Sequence, residues 1–249
     1  MLRHLGTRRS TVHNLRLATL LGLTAGMVNA EGFLGFSILT TNVTGHAASF
    51  AEKISLQDWC SSLFIALWML LFLAGAFLSG LILSLTGANQ RFSYVIPLLV
   101  EILILLVSAL YGNRYHGTRA VQELFAGSLL FAMGIQNALV SMVSGSVVRT
   151  THLTGTFTDL GIALAQLFNA PDQKRIVLKS KIKLNLVIIV FFMTGAVSGA
   201  YLFRHISFLS FYAPIFILCF ALVYDLLRIK AQRYYRLATY AMKNKRSVS

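Results

Sequence analysis

Two six-residue phrases carry most of the polar chemistry in this chain: TTNVTG at 40–45 and TTHLTG at 150–155. Ahead of each stands Gly-x-x-Asn-Ala, with Gly26, Asn29 and Ala30 in the first copy and Gly134, Asn137 and Ala138 in the second. The Gly-x-x-Asn-Ala phrase recurs after 108 positions and the TTxxTG phrase after 110, so the two halves match apart from a two-residue insertion. Each copy supplies threonine hydroxyls (Thr40, Thr41 and Thr44; Thr150, Thr151 and Thr154) and a glycine (Gly45; Gly155). Gly45 and Gly155 relax the backbone, and Thr44 and Thr154 are expected to N-cap helical stretches at 46–54 and 156–168. A helix that starts at membrane depth turns unpaired N–H groups and a positive dipole end toward whatever precedes it, which suits an anion or a polar solute. The plainer expectation is two ordinary loop-to-helix junctions at the two surfaces.

Three amides, Asn29, Gln136 and Asn137, fall near the same level, where they could contact a solute or simply join helices. Two carboxyls, Glu31 and Glu101, lie deep within apolar runs. A charge at such depth costs about 2.5–3.5 kcal/mol on insertion scales, so these groups are expected to be paired, protonated or facing water, as a proton-coupling group would be. The competing structural roles for Glu31 are an ion pair with Arg149 and a hydrogen bond to a nearby hydroxyl. His46, His152, Arg149 and Asp159 cluster around the two junctions, and a histidine there more often has a structural role than a titrating one.

The elements that must position these groups are membrane spans. The chain of 249 residues is 56% apolar and 12% charged with mean hydropathy +0.70, whereas soluble domains carry about 25% charge. Six stretches are long and apolar enough for the roughly 20 residues that a helical crossing needs: 15–39, 59–85, 94–112, 124–148, 184–203 and 208–228. Taking the N-terminus as cytoplasmic, Lys and Arg divide 17 inside to 4 outside, with Arg149 left at the end of the fourth span. That asymmetry places both termini on the cytoplasmic side of the membrane and accounts for the net charge of +14 without nucleic acid. The expected organisation is a cytoplasmic segment 1–14, a first three-helix repeat 15–112, an external loop 113–123, a second repeat 124–228 and a basic cytoplasmic tail 229–249 against lipid headgroups.

Three spans per half is an odd number, so the second repeat must enter from the opposite face: an all-α fold of two inverted three-helix repeats. Further echoes agree, namely 76–80 with 195–199, and Pro97 with Pro214. Small residues four apart (Gly22, Gly26 and Ala30; Gly134 and Ala138; Gly195 and Gly199) are expected to form packing seams that bring spans one, four, five and two together.

The excluded classes are equally clear. Cys60 and Cys219 form no metal or disulfide spacing. No nucleophile–base pair, phosphate loop or metalloprotease motif is present, so an enzyme, a metal and a cofactor are all unexpected. Asn42-Val43-Thr44 matches a glycosylation sequon, by accident given its place in the repeated phrase.

The segments AGMVNAEGFLGF at 25–36, TTNVTGHAASFA at 40–51, FAMGIQNALV at 131–140 and RTTHLTGTFTDLGIALA at 149–165 resemble the YoaK-like family of bacterial membrane proteins, domain-of-unknown-function family 1275, across about 15–230. The resemblance implies a six-span inner-membrane protein, sometimes supposed to be a permease, with no established substrate. The family pattern often has Asp at the position of Asn29 and Asn at that of His46, so a proton-carrying role for the Asp does not transfer to Asn29.

The reading that joins these features is a secondary transporter of a small polar or anionic solute, with proton coupling through Glu31 or Glu101 as an option. Its two matched helix starts would face each other across one hydrated hollow. The alternative is a non-transporting membrane scaffold with a packed, dry interior. Either leaves homo-oligomer formation open.

Overall fold

The computed structural model describes residues 11–86, 93–114 and 118–224. The basic lead before residue 11 and the expected tail 229–249 lie outside the described residues. Among those described there is no strand. The helices are α1 (Thr11–Phe36), α2 (Val43–Ser55), α3 (Trp59–Thr86), α4 (Val95–Tyr111), α5 (Arg119–Ser144), α6 (Leu153–Phe168) and α7 (Asp172–Ile206). A 3-10 turn, Ser207–Phe211, leads into α8, described over 212–224.

Five stretches, against the six expected, are long and apolar enough to cross a membrane: Val12–Phe36, Trp59–Thr86, Val95–Arg114, Arg119–Ser144 and Asp172–Tyr224. The last takes in the fifth expected span and the sixth as far as Tyr224, residues 225–228 lying outside the described residues. The two spans merge because helix continues almost unbroken through the 3-10 turn, with Ser207 at φ 51 as the break. The expected spans at 15–39 and 124–148 both run too far. α1 stops at Phe36 with Ser37 left-handed (φ 58), and α5 stops at Ser144 with Gly145 (φ 64) and Ser146 (φ 62) left-handed.

Helix starts follow local chemistry. All three prolines sit at them: Pro97 and Pro214 in the first turns of α4 and α8, and Pro171 immediately before α7, where a missing N–H costs nothing. Asp58 accepts from the Ser61 amide (3.1 Å) just ahead of α3. Hydrogen bonds from the Ser61 hydroxyl and amide, helped by the Arg119 and Lys53 charges, hold its carboxyl below the usual range.

Glycines decide which helices touch. A Cβ on Gly26 of α1 would collide with the Phe192 carbonyl of α7, and one on Gly195 of α7 with the Leu23 carbonyl of α1. The same exchange joins α3 and α5: Gly75 meets the Phe131 carbonyl, and Gly134 meets the Phe72 carbonyl. Backbones this close gain dispersion attraction and weak C–H···O hydrogen bonds to carbonyls that larger residues forbid, which matters in lipid because apolar side chains gain nothing by leaving it. Contacts along each pair advance together, Gly22 by Phe191 to Gly199 by Met27 and Arg119 by Ser61 to Gly134 by Phe72, so both pairs are parallel. Gly75, which the sequence echo 76–80 passes over, is therefore the counterpart of Gly195 in the other half. That echo is one residue out of register, and Gly80 makes only ordinary contact with Met142 (3.7 Å).

α1 and α5, the most enclosed spans, cross antiparallel: Gln122 Nε2 donates to Phe36 O (3.1 Å), and fourteen residues on Gln136 Nε2 donates to Leu21 O (2.8 Å). Leu17, Leu21, Val28, Leu129, Met133 and Leu139 fill the core around them. α2 packs on α3, α6 on α7, and α4 on α5 and the 3-10 turn. Phe36 stacks on Phe125 (5.2 Å between centroids) and contacts Phe208 of the turn (5.1 Å), closing one end of the bundle.

Candidate functional site

After α1 ends, the chain turns back along it. Ile38 N bonds Gly32 O (3.4 Å), and Thr41 donates through both its amide (3.1 Å) and its hydroxyl (3.0 Å) to Asn29 Oδ1. Position 41 thus lies level with position 29, seven residues back from the end of α1, a descent of roughly 10 Å at 1.5 Å per residue. From there α2 climbs along α3, with its His46 ring edge-on to Trp68 (5.7 Å). The second half repeats the manoeuvre: α5 ends, the chain returns, and Thr151 Oγ1 donates to Asn137 Oδ1 (2.8 Å) before α6 begins. Up to the ends of α1 and α5 the halves match at 108 positions, and at the starts of α2 and α6 at 110. The two-residue insertion therefore lies in the second return loop, where Gly145 and Ser146 are both left-handed.

Within each return the residues have fixed tasks. Ile38 and Val148, two places before the paired threonines, are buried plugs that the sequence pattern did not single out. Thr40 and Thr150 are completely buried, and neither Oγ1 has a hydrogen-bond partner in the protein. Thr41 and Thr151 bind the asparagines.

The expected N-caps, Thr44 and Thr154, lie instead inside the first helical turns and are exposed. The cap of α2 is Asn42, whose Oδ1 accepts from Gly45 N (3.0 Å), and Gly45 is small because a Cβ there would press on the Asn42 amide (2.5 Å). Gly45 is thus a packing choice. Gly155 has nothing within 4 Å of a Cβ. The residue before α6 is His152, which makes no side-chain cap bond and has its Nε2 3.3 Å from Asn137 Nδ2. An amide NH2 can only donate, so the imidazole accepts there and is neutral. His46 Nε2 lies 2.9 Å from Leu39 O, a carbonyl, so this ring donates. Both histidines thus hydrogen-bond within their own half of the chain.

The structure does not bring the two helix starts to one hollow. α2 leans on α3 and α6 on α7. In the antiparallel register that Gln136 and Leu21 set, their tethers Asn29 and Asn137 differ in height by eight or nine residues, roughly 13 Å. The sequence repeats the motif but cannot show that an inverted copy lands on the other side of the crossing point. Gln136 joins α5 to α1 rather than reaching either start.

Glu31 and Glu101 are both completely buried, and none of their four carboxyl oxygens is hydrogen-bonded. Glu31 does not pair with Arg149, which is exposed beside His152. Its neighbour is the buried Ser210 hydroxyl of the 3-10 turn, which lies beside it without closing a hydrogen bond. Ser210 was legible, since Ser-Phe-x-x-Pro at 210–214 repeats Ser-Tyr-x-x-Pro at 93–97. Asp159 pairs with Lys181 (3.1 Å), joining α6 to α7. Among the described residues no group of His, Cys, Asp and Glu could hold a metal ion.

Comparison with curated proteins gives no match, and comparison with solved structures gives none. A family model described as "Protein of unknown function (DUF1275)" matches residues 17–224, from the first turns of α1 to the last described residue of α8 and across both return loops. The chain therefore belongs to this family of proteins of unknown function, with the helices of a membrane protein.

Proposed function

We propose that the chain is a six-pass bacterial inner-membrane permease for a small polar or anionic solute, built from two inverted three-span repeats. The inverted reading is supported by how the helices pair: α1 with α7 and α3 with α5 through matched glycine contacts, and antiparallel α1 and α5 at the centre. A sixth crossing follows if Ser207–Phe211 reverses the chain so that α8 returns as α4's counterpart. The termini then lie on the side that carries most Lys and Arg.

One observation carries the functional reading: Thr40 and Thr150, at the same place in both return loops, keep buried hydroxyls without a protein partner. Each such group costs about 1–3 kcal/mol, and valine would fill the same space at no such cost. Non-helical backbone at this depth is tolerated where it is enclosed by protein or lines a cavity. The two loops then act in succession, one facing each side of the membrane, and Glu31, with Glu101 as the other candidate, is the ionisable group of a proton-coupled cycle.

In proteoliposomes, Thr40→Val and Thr150→Val are expected to leave thermal stability equal or higher while flux falls at least ~10-fold, a loss of about 1.4 kcal/mol in transition-state stabilisation. Glu31→Gln is expected to abolish dependence of that flux on a pH gradient. Full flux in all three variants, or no uptake of any solute in a broad panel, refutes the permease.

A specific observation favours a second reading, that of a membrane scaffold: the helix starts stand apart, with an apolar core around the α1–α5 crossing. Cysteines placed at Thr44 and Thr154 separate the two. Reaction with water-soluble thiol reagents in intact membranes is expected of wet loops, and silence at both positions is expected of a scaffold.

A further inference from the structure

The α6–α7 junction differs from its counterpart between α2 and α3. The first junction is a tight turn, Leu56-Gln57-Asp58, with an acidic residue. At the second, α7 begins about a dozen residues before its apolar portion, and this extension carries Lys174, Arg175, Lys179, Lys181 and Lys183. Between it and the end of α6 lies a hollow of about 830 Å³, with Gln166, Asn169, Gln173 and Lys174 as its polar lining and Val177 and Leu178 in its apolar floor.

Two of the local cations are already engaged. Arg175 donates from Nε to Ala170 O (3.0 Å) and stands 3.8 Å from Asp172, while Lys181 bonds Asp159. Lys174 has no carboxylate partner among the described residues. At 100° per residue, Lys174, Val177, Leu178 and Lys181 share the face toward α6, and Lys179 and Lys183 lie on the other.

The surroundings identify the occupant. Phe168 is 83% exposed, Ile176 75% and Val177 69%. Large apolar side chains standing out beside lysines are at home in the headgroup layer of a bilayer, where apolar parts reach acyl chains and cations reach phosphates. A hollow at that level, with one unpaired ammonium, three side-chain amides and an apolar floor, offers a charge, several hydrogen-bond donors and a place for the first methylenes of a chain.

We infer that this hollow is a binding site for one anionic phospholipid, held by its phosphodiester at Lys174 and the amides of Gln166, Asn169 and Gln173. The lipid wedges α6 against α7, and so fixes the helix that the second return loop starts. The inference does not depend on transport.

The test is native mass spectrometry of the full chain taken from nanodiscs of mixed phosphatidylglycerol and phosphatidylcholine. One phosphatidylglycerol should survive detergent exchange on the wild-type protein in preference to phosphatidylcholine. Lys174→Gln should weaken its retention roughly fivefold, the effect of one basic residue near an anionic surface. The neutral changes Gln166→Ala and Asn169→Ala should also weaken it, whereas Lys179→Gln, on the other face, should do so less than Lys174→Gln. Equal effects of Lys174→Gln and Lys179→Gln with none from the two amide variants would mean diffuse surface attraction and would overturn the site. Displacement by inorganic phosphate at concentrations that leave bulk lipid binding unchanged would overturn the lipid as occupant in favour of a soluble anion. These positions are on the surface, and melting curves of each variant verify folding.

Discussion

Gly134→Leu is expected to prevent stable folding, and Gly26→Leu to do the same from the other half. At both positions a Cβ alone would collide with a carbonyl of the neighbouring helix, Phe72 or Phe192. The obstacle is backbone in a helix that is itself fixed by a reciprocal glycine, Gly75 or Gly195, so neither partner can yield alone. Overpacking typically costs 1–3 kcal/mol when side chains absorb it, and here, where they cannot, more than ~3 kcal/mol is expected. In a detergent thermal-shift assay both variants should lose the cooperative transition, while Gly161→Ala, with nothing within 4 Å of its Cβ, should melt like the wild type. A normal melt for Gly134→Leu would mean that α3 and α5 are not in backbone contact.

The second large effect concerns the tethers, and the response to aspartate differs between halves. Asn29 serves its return loop only as an acceptor, from the Thr41 amide and hydroxyl. Asn137 accepts from Thr151 and also donates toward His152. Asn29→Val and Asn137→Val should each destabilise by about 1–3 kcal/mol, because Thr41 or Thr151 is left with unmet hydrogen bonds beneath the surface. Asn29→Asp keeps both acceptor contacts and should hold the loop at near wild-type protection in hydrogen exchange over 38–46. Asn137→Asp loses the amide donor and sets a carboxylate against a neutral imidazole, so exchange over 146–156 should rise. Protonation of His152 restores a donor, so lowering the pH should return that protection. Equal behaviour of the two Asp variants would show that His152 does not need the Asn137 amide, its Nε2 donating to the new carboxylate as the other neutral tautomer.

Much of this was legible in sequence. The doubling of Gly-x-x-Asn-Ala and TTxxTG, the apolar runs and the basic flanks require no structure, because each rests on what a residue type costs in lipid. Asn29 and Asn137 could be singled out because the same amide occurs twice at the same distance from the same threonines. Gly26, Gly134 and Gly195 could be read as packing positions from their spacing. Gly75 could not, since its neighbour Ala76 suggested a register one residue away, and only the carbonyls that it meets decide between them.

What tertiary structure decided was the level and partner of each group. The two-residue insertion was visible as a difference between repeats, but its place between α5 and α6 depends on where the left-handed residues end the helix. The caps passed from Thr44 and Thr154 to positions 42 and 152, because an N-cap is set by where helical dihedrals begin, which a run of threonines leaves ambiguous. The separation of the two helix starts had no local signal. It follows from how far α1 and α5 slide past one another, fixed by Gln136 on Leu21 and Gln122 on Phe36, contacts between residues more than eighty positions apart. Composition determined that these helices are long and apolar enough for a bilayer, and close contact at a few glycines determined which faces meet, because in lipid apolar surface drives neither choice of partner nor register.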